Sequence, residues 1–105
     1  MSSKKFKSLN GLSKISTTII EDVAWFNIDK LDALSGKMFF YLLKDVIEYF
    51  KENNIEYVKQ YVNSDTLSSF KTSSFVEVDD DVYIISTKLS DFPKEVAYAL
   101  GINLL

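Results

Sequence analysis

Polar and apolar residues alternate from Lys14 onward. KISTTII (14–20) alternates β-branched residues, and VAWFNI (23–28) follows after Glu21-Asp22, a tight-turn candidate. Together they predict a β-hairpin. The period then changes. After the punctuation DKLDALSGK (29–37), the residues Phe39, Leu42, Leu43, Val46, Ile47 and Phe50 recur at i, i+3, i+4 and i+7, which predicts one buried face of a long helix. Ser35 stands where an N-cap is needed, and Asn53-Asn54 suits the end because Asn tolerates the left-handed conformation. IEYVKQYV (55–62) alternates again and reads as a strand. SDTLSSFKT predicts a two-turn helix capped by Ser64 or Asp65 that buries Leu67 and Phe70. FVEV and DVYIISTKL flank the polar turn Asp79–Asp81 as a second hairpin. DFPKEVAYALG predicts a last helix, with Pro93 in its first turn, Asp91 as cap and Gly101 as stop. Phe92, Val96, Ala99 and Leu100 share a face of it.

The order is β-β-α-β-α-β-β-α, an α+β fold with a mixed sheet, because strand–helix–strand implies a right-handed crossover and some parallel pairing. Residues 1–13 read as a flexible basic tail and 14–105 as one α+β domain. The 105 residues fit one domain, and 47% hydrophobic content is enough for a core without staples.

Composition removes several chemistries. There is no Cys, so no thiolate or disulfide, and no His, so no imidazole base, Ser-His pair or ordinary zinc site. All twelve basic residues are Lys, so bidentate guanidinium recognition of phosphate is excluded. The net charge of −3 argues against nucleic acid as a partner. The skew to Lys, Ile, Asn, Phe and Tyr is what AT-rich codons encode, as in viral, bacterial or protist genomes. No apolar run approaches the roughly 20 residues that span a bilayer, and MSSKKFKSLNG lacks the apolar core of a signal peptide. The expectation is an intracellular protein, cytoplasmic or inside a virus particle, without membrane or metal partners. Glu77, Asp79, Asp80 and Asp81 lack an Asp-x-Asp-x-Asp-Gly calcium loop and read as a polar turn. Glu21 and Asp22 likewise read as a turn.

The element order over residues 14–89 resembles the C-terminal portion of the GNAT (Gcn5-related N-acetyltransferase) family. LSGKMFFYLL corresponds to that family's pyrophosphate loop, and Gly36-Lys37 survives as a fragment of it. Met38 and Phe40 stand where the resemblance expects small residues that let backbone N–H groups approach the phosphates. FKTSSF matches the family's Tyr-x-x-x-Gly-Phe pattern with Phe70 in place of Tyr and Ser74 in place of Gly. The resemblance gives that Tyr the role of general acid, and Phe has no proton to donate. The resemblance thus implies the fold with its chemistry reduced.

Tyr57, Lys59 and Tyr61 share one face of their strand, opposite Val58, Gln60 and Val62. With Trp25 they are the candidate partner contacts, since aromatic residues are enriched at interfaces. The sequence favours a small non-catalytic domain that takes no cofactor and works through a protein partner or homo-oligomer, such as a viral or phage accessory or assembly component. The alternative is a minimal N-acetyltransferase that binds acetyl-CoA through Gly36 and Lys37.

Overall fold

The computed structural model describes residues 1–32, 36–71 and 73–100. In chain order the elements are β1 (Ser2–Lys7), β2 (Lys14–Ile20), β3 (Val23–Lys30), α1 (Gly36–Glu52), β4 (Tyr57–Val62), α2 (Ser64–Leu67), β5 (Ser74–Asp79), β6 (Val82–Lys88) and α3 (Phe92–Leu100). The six strands form one mixed sheet in the order β1-β2-β3-β4-β6-β5. Among the described residues only the β3–β4 pair is parallel. The α+β class and mixed sheet are as the periodicity predicts.

The first correction concerns residues 1–13. The stretch expected to be a flexible tail contains β1, paired with β2 from Ser2↔Ile19 to Lys7↔Lys14. Its lysines obscured it. An edge strand tolerates lysine because its outer side is solvated, and here the Lys4 ammonium lies over the rings of Phe6 and Tyr49 at 4.9 and 4.7 Å. Thr17 Oγ1 donates to the Lys4 carbonyl at 2.9 Å. The connection to β2 is tight, with Gly11 at φ 71° and its N–H donating to Ser8 O.

The hairpin turn at Glu21-Asp22 is present, with Glu21 at φ 59°. Helix α1 buries the six residues of its apolar stripe. Its end is a Schellman motif. Asn54 sits at φ 57°, its N–H donates to Lys51 O, and the Ile55 N–H donates to Phe50 O. Ser35, the expected cap of α1, lies outside the described residues, as does Gly101.

A second correction concerns SDTLSSFKT. Helix α2 is a single turn, and its cap is Asn63 rather than Ser64 or Asp65. Asn63 follows β4 in an extended conformation, and its side-chain oxygen accepts from Thr66 N at 2.9 Å. The chain continues through Ser69 N→Thr66 O and Phe70 N→Leu67 O, tighter i→i−3 bonds that turn Phe70 into the core.

The core lies on one face of the sheet. Ile15, Ile19, Ala24, Phe26, Val58 and Ile85 join Phe39, Leu42, Val46, Phe50, Phe92 and Val96 in one buried cluster. Phe26 and Phe92 meet edge to face at 4.9 Å. The register places Trp25, Lys59, Tyr61 and Ile84 on the opposite face, where Ile20, Tyr57, Tyr61 and Val76 are exposed.

Candidate functional site

The sheet has a seam. Strands β3 and β4 pair only at Val23↔Tyr57, Ala24↔Val58 and Trp25↔Lys59. Beyond these, β3 stays paired with β2 and β4 stays paired with β6, so each keeps one neighbour and faces a gap on its other side. Main-chain groups turned into such a gap have no ladder partner across it. The gap opens into a cleft of about 270 Å³, walled by Phe26, Ile28, Gln60, Tyr61, Phe70 and Val96 among others.

Gln60 is the informative wall residue. It is 9% exposed, and its side-chain nitrogen, Nε2, is buried without a hydrogen-bond partner. A buried donor left unpaired costs roughly 1–3 kcal/mol, and folded proteins keep few of them. A ligand carbonyl in the cleft would remove that cost.

Tyr61 is the one ionisable side chain among the described lining residues. It is 63% exposed and stacks on Trp25 at 5.3 Å with planes 25° apart. The Lys59 ammonium lies 5.9 Å from the Trp25 ring. Trp25, Lys59 and Tyr61 are therefore brought together on the uncovered face, while Tyr57 stands at the start of the same strand.

Gly36 and Lys37 are placed elsewhere. They begin α1, and neither lines the cleft. Met38 and Phe40 lie within the first turns of α1 rather than in the β3–α1 connection. That connection, LDALS (31–35), contains no glycine. Phe70 lines the cleft, so the position that the resemblance gives to a proton donor is an apolar wall.

Asp81, Asp29 and Glu77 each accept a hydrogen bond within the fold. Asp81 sits at φ 54° in the β5–β6 turn and accepts from Ser64 N at 3.0 Å. The Ser64 hydroxyl and N–H hold its carboxyl below the usual carboxylate range. The Ser16 hydroxyl does the same for Asp29, aided by Asn27, Lys5 and Lys14 and partly opposed by burial. Glu77 faces Tyr83 across β5–β6 and pushes that phenol up by accepting its hydrogen bond. Among the described residues no group of three or more His, Cys, Asp or Glu could hold a metal ion, and no helix is long and apolar enough to cross a membrane.

Gln60 and the cleft escaped sequence reasoning. The register of a parallel pair, and the residue at which it ends, is a tertiary property, and alternation shows Gln60 only as one polar residue on an inward face.

No protein-family model matches the chain, and no curated protein matches it. Solved structures do. Mutant forms of the spermidine/spermine N-acetyltransferase SpeG from Vibrio cholerae superpose with a TM-score of 0.55 at 13% identity, covering 90% of this chain and 71% of that one. A chimera of the Vibrio cholerae spermidine N-acetyltransferase SpeG with hSSAT gives 0.54 at 12% identity, over 86% of this chain and 69% of that one. A second such chimera gives 0.52 at 14%, over 88% and 72%. At these identities the likeness is one of fold, and the chain has a GNAT-like fold.

Proposed function

We propose that this protein binds acetyl-CoA in the β3–β4 cleft and acts as a minimal, slow N-acetyltransferase. The observation that carries the reading is Gln60, a buried amide donor without a partner on the wall of a cleft that splits a parallel strand pair. A narrow chain carrying amide and thioester carbonyls suits such a site, since it can accept from Gln60 Nε2 and from unpaired main-chain N–H groups. Bound acetyl-CoA would supply an activated acyl group. Tyr61, on the open-face side of the cleft, is the one ionisable side chain among its described lining residues, and to protonate a departing sulfur in place of the missing phenol at Phe70 it would leave its stack on Trp25. No base lines the cleft among the described residues, so an amine must arrive already neutral, and the rate should rise with pH towards the amine's own pKa.

Calorimetric titration with acetyl-CoA tests the binding step. The expected result is binding by the unmodified protein that weakens at least about tenfold in Gln60→Leu, roughly the loss of one hydrogen bond. A thiol-release assay with spermidine, the substrate class of the fold neighbours, tests turnover. It should show slow release that falls further in Tyr61→Phe. No heat and no thiol release at millimolar acetyl-CoA would overturn the reading.

A second reading has its own observation. The stacked Trp25–Tyr61 pair with Lys59 stands on a sheet face that no described helix covers, which favours a non-catalytic domain working through protein contacts. Such a domain would ignore acetyl-CoA, so the same titration separates the two.

A further inference from the structure

The two edges of the sheet are built differently. Edge β1 carries Lys4, Lys5 and Lys7, the charges by which natural sheets discourage unwanted pairing. Edge β5, SFVEVD, has every residue exposed, including Phe75 at 61%, Val76 at 57% and Val78 at 49%. The strand lacks proline and lysine, its acids Glu77 and Asp79 and the register shift between them lie towards the turn end, and among the described residues one side of its backbone has no neighbour in the sheet.

We infer that β5 is a self-pairing edge, joining two copies of this chain into a two-fold dimer with a continuous twelve-stranded sheet. The register follows from side-chain parity. A two-fold axis normal to the sheet through Val76 sets Val76 against its own copy, Ser74 against Val78, and Phe75 against Glu77. Each side chain stays on its own face, and no pair joins two acids. Charge supports the same arrangement. Antiparallel pairing brings the Asp79–Asp81 turn of each copy to the start of the other's β5, the end nearer the exposed Lys71, whose ammonium lies over Tyr98 at 5.0 Å in its own chain. A parallel self-pairing would set acidic turn against acidic turn. Room is available, because Phe75 points to the helix side of the sheet and is nevertheless open to solvent. Closed two-fold association also removes the exposed edge, whereas β5-to-β1 pairing would propagate.

Sedimentation equilibrium on the full chain tests this. The expected species has twice the 12.0 kDa chain mass. Val76→Lys, a substitution on an exposed edge position, should weaken association about a hundredfold or more while leaving the far-ultraviolet circular dichroism unchanged. Lys71→Glu should weaken it less, and high salt should mimic that loss. Should Val76→Lys fail to fold, amide exchange of the unmodified protein gives the answer, with β5 protection rising with concentration. A monomer at all attainable concentrations would overturn the inference. So would a dimer that survives Val76→Lys but is lost in Tyr61→Lys on the open sheet face.

Discussion

The two faces of the central sheet carry similar numbers of large side chains and put them to different use. On the covered face, Phe26, Val58 and Ile85 lie against α1 and α3 and are buried. On the open face, Trp25 leans on Tyr61, and Lys59 lies near the Trp25 ring. The covered face holds the fold together, because burial of apolar area is the main favourable contribution. The open face shelters its largest residue with local stacking alone. Gln60 belongs to the covered face by position but to neither by chemistry, since its donor is removed from water and matched to nothing.

The contrast is broken most sharply by truncation on the covered face. Leu42→Ala should cost roughly 2–5 kcal/mol and Phe50→Ala roughly 3–5 kcal/mol in urea unfolding, since both leave cavities in the packed cluster. Equal losses on the open face would erase the distinction. Gln60→Leu should act in the opposite direction, raising stability by about 1–2 kcal/mol as the orphan donor is replaced by an apolar group. A variant that is more stable yet loses acetyl-CoA would mark Gln60 as kept for a ligand, whereas a destabilised Gln60→Leu would mark it as structural. On the open face, Tyr61→Ala should cost no more than about 1–1.5 kcal/mol, the scale of one aromatic pair. The smallest effect is electrostatic. Asp29 and Asp81 have folded-state pKa values below their unfolded ones. Their contribution is complete above the unfolded carboxylate range and is lost as pH falls through the lowered folded values. Ser16→Ala should move the Asp29 titration, read by NMR, back up towards the unfolded value, and an unmoved titration would exclude the Ser16 hydroxyl as the main cause.

Local periodicity carried most of the fold. The stripe from Phe39 to Phe50 and the alternation in KISTTII each report a burial face directly, because side-chain direction repeats with the backbone. SSKKFK failed as a strand signal because nothing on its outer side needs burying, and its pairing with β2 depends on the chain reversal at residues 8–13. The cap at Asn63 was hidden by the neighbouring Ser64 and Asp65, which suit a cap equally well by type. The open-face cluster was legible as a grouping, since Tyr57, Lys59 and Tyr61 fall on one parity of one strand. Its fourth member, Trp25, joined through the β3–β4 register, which no local pattern encodes. The cleft depends on where that same register stops.

That register has a consequence for how the molecule opens. The three-stranded meander β1–β2–β3 and the antiparallel group β4–β6–β5 are joined within the sheet by only three residue pairs, although both also pack on the common core. Within each group the neighbours are joined by long antiparallel ladders and mostly close in sequence. The contact between the groups requires the whole α1 crossover to be in place, and such non-local closures are the slow steps of folding. The two groups should therefore behave as separate cooperative units in native-state hydrogen exchange, with the amides of Ala24, Trp25, Val58 and Lys59 exchanging by a low-energy parting of the halves. A chain wedged into the split end would lengthen the seam and slow that exchange, so the same few amides would report both the weakest line in the fold and the arrival of whatever fills it.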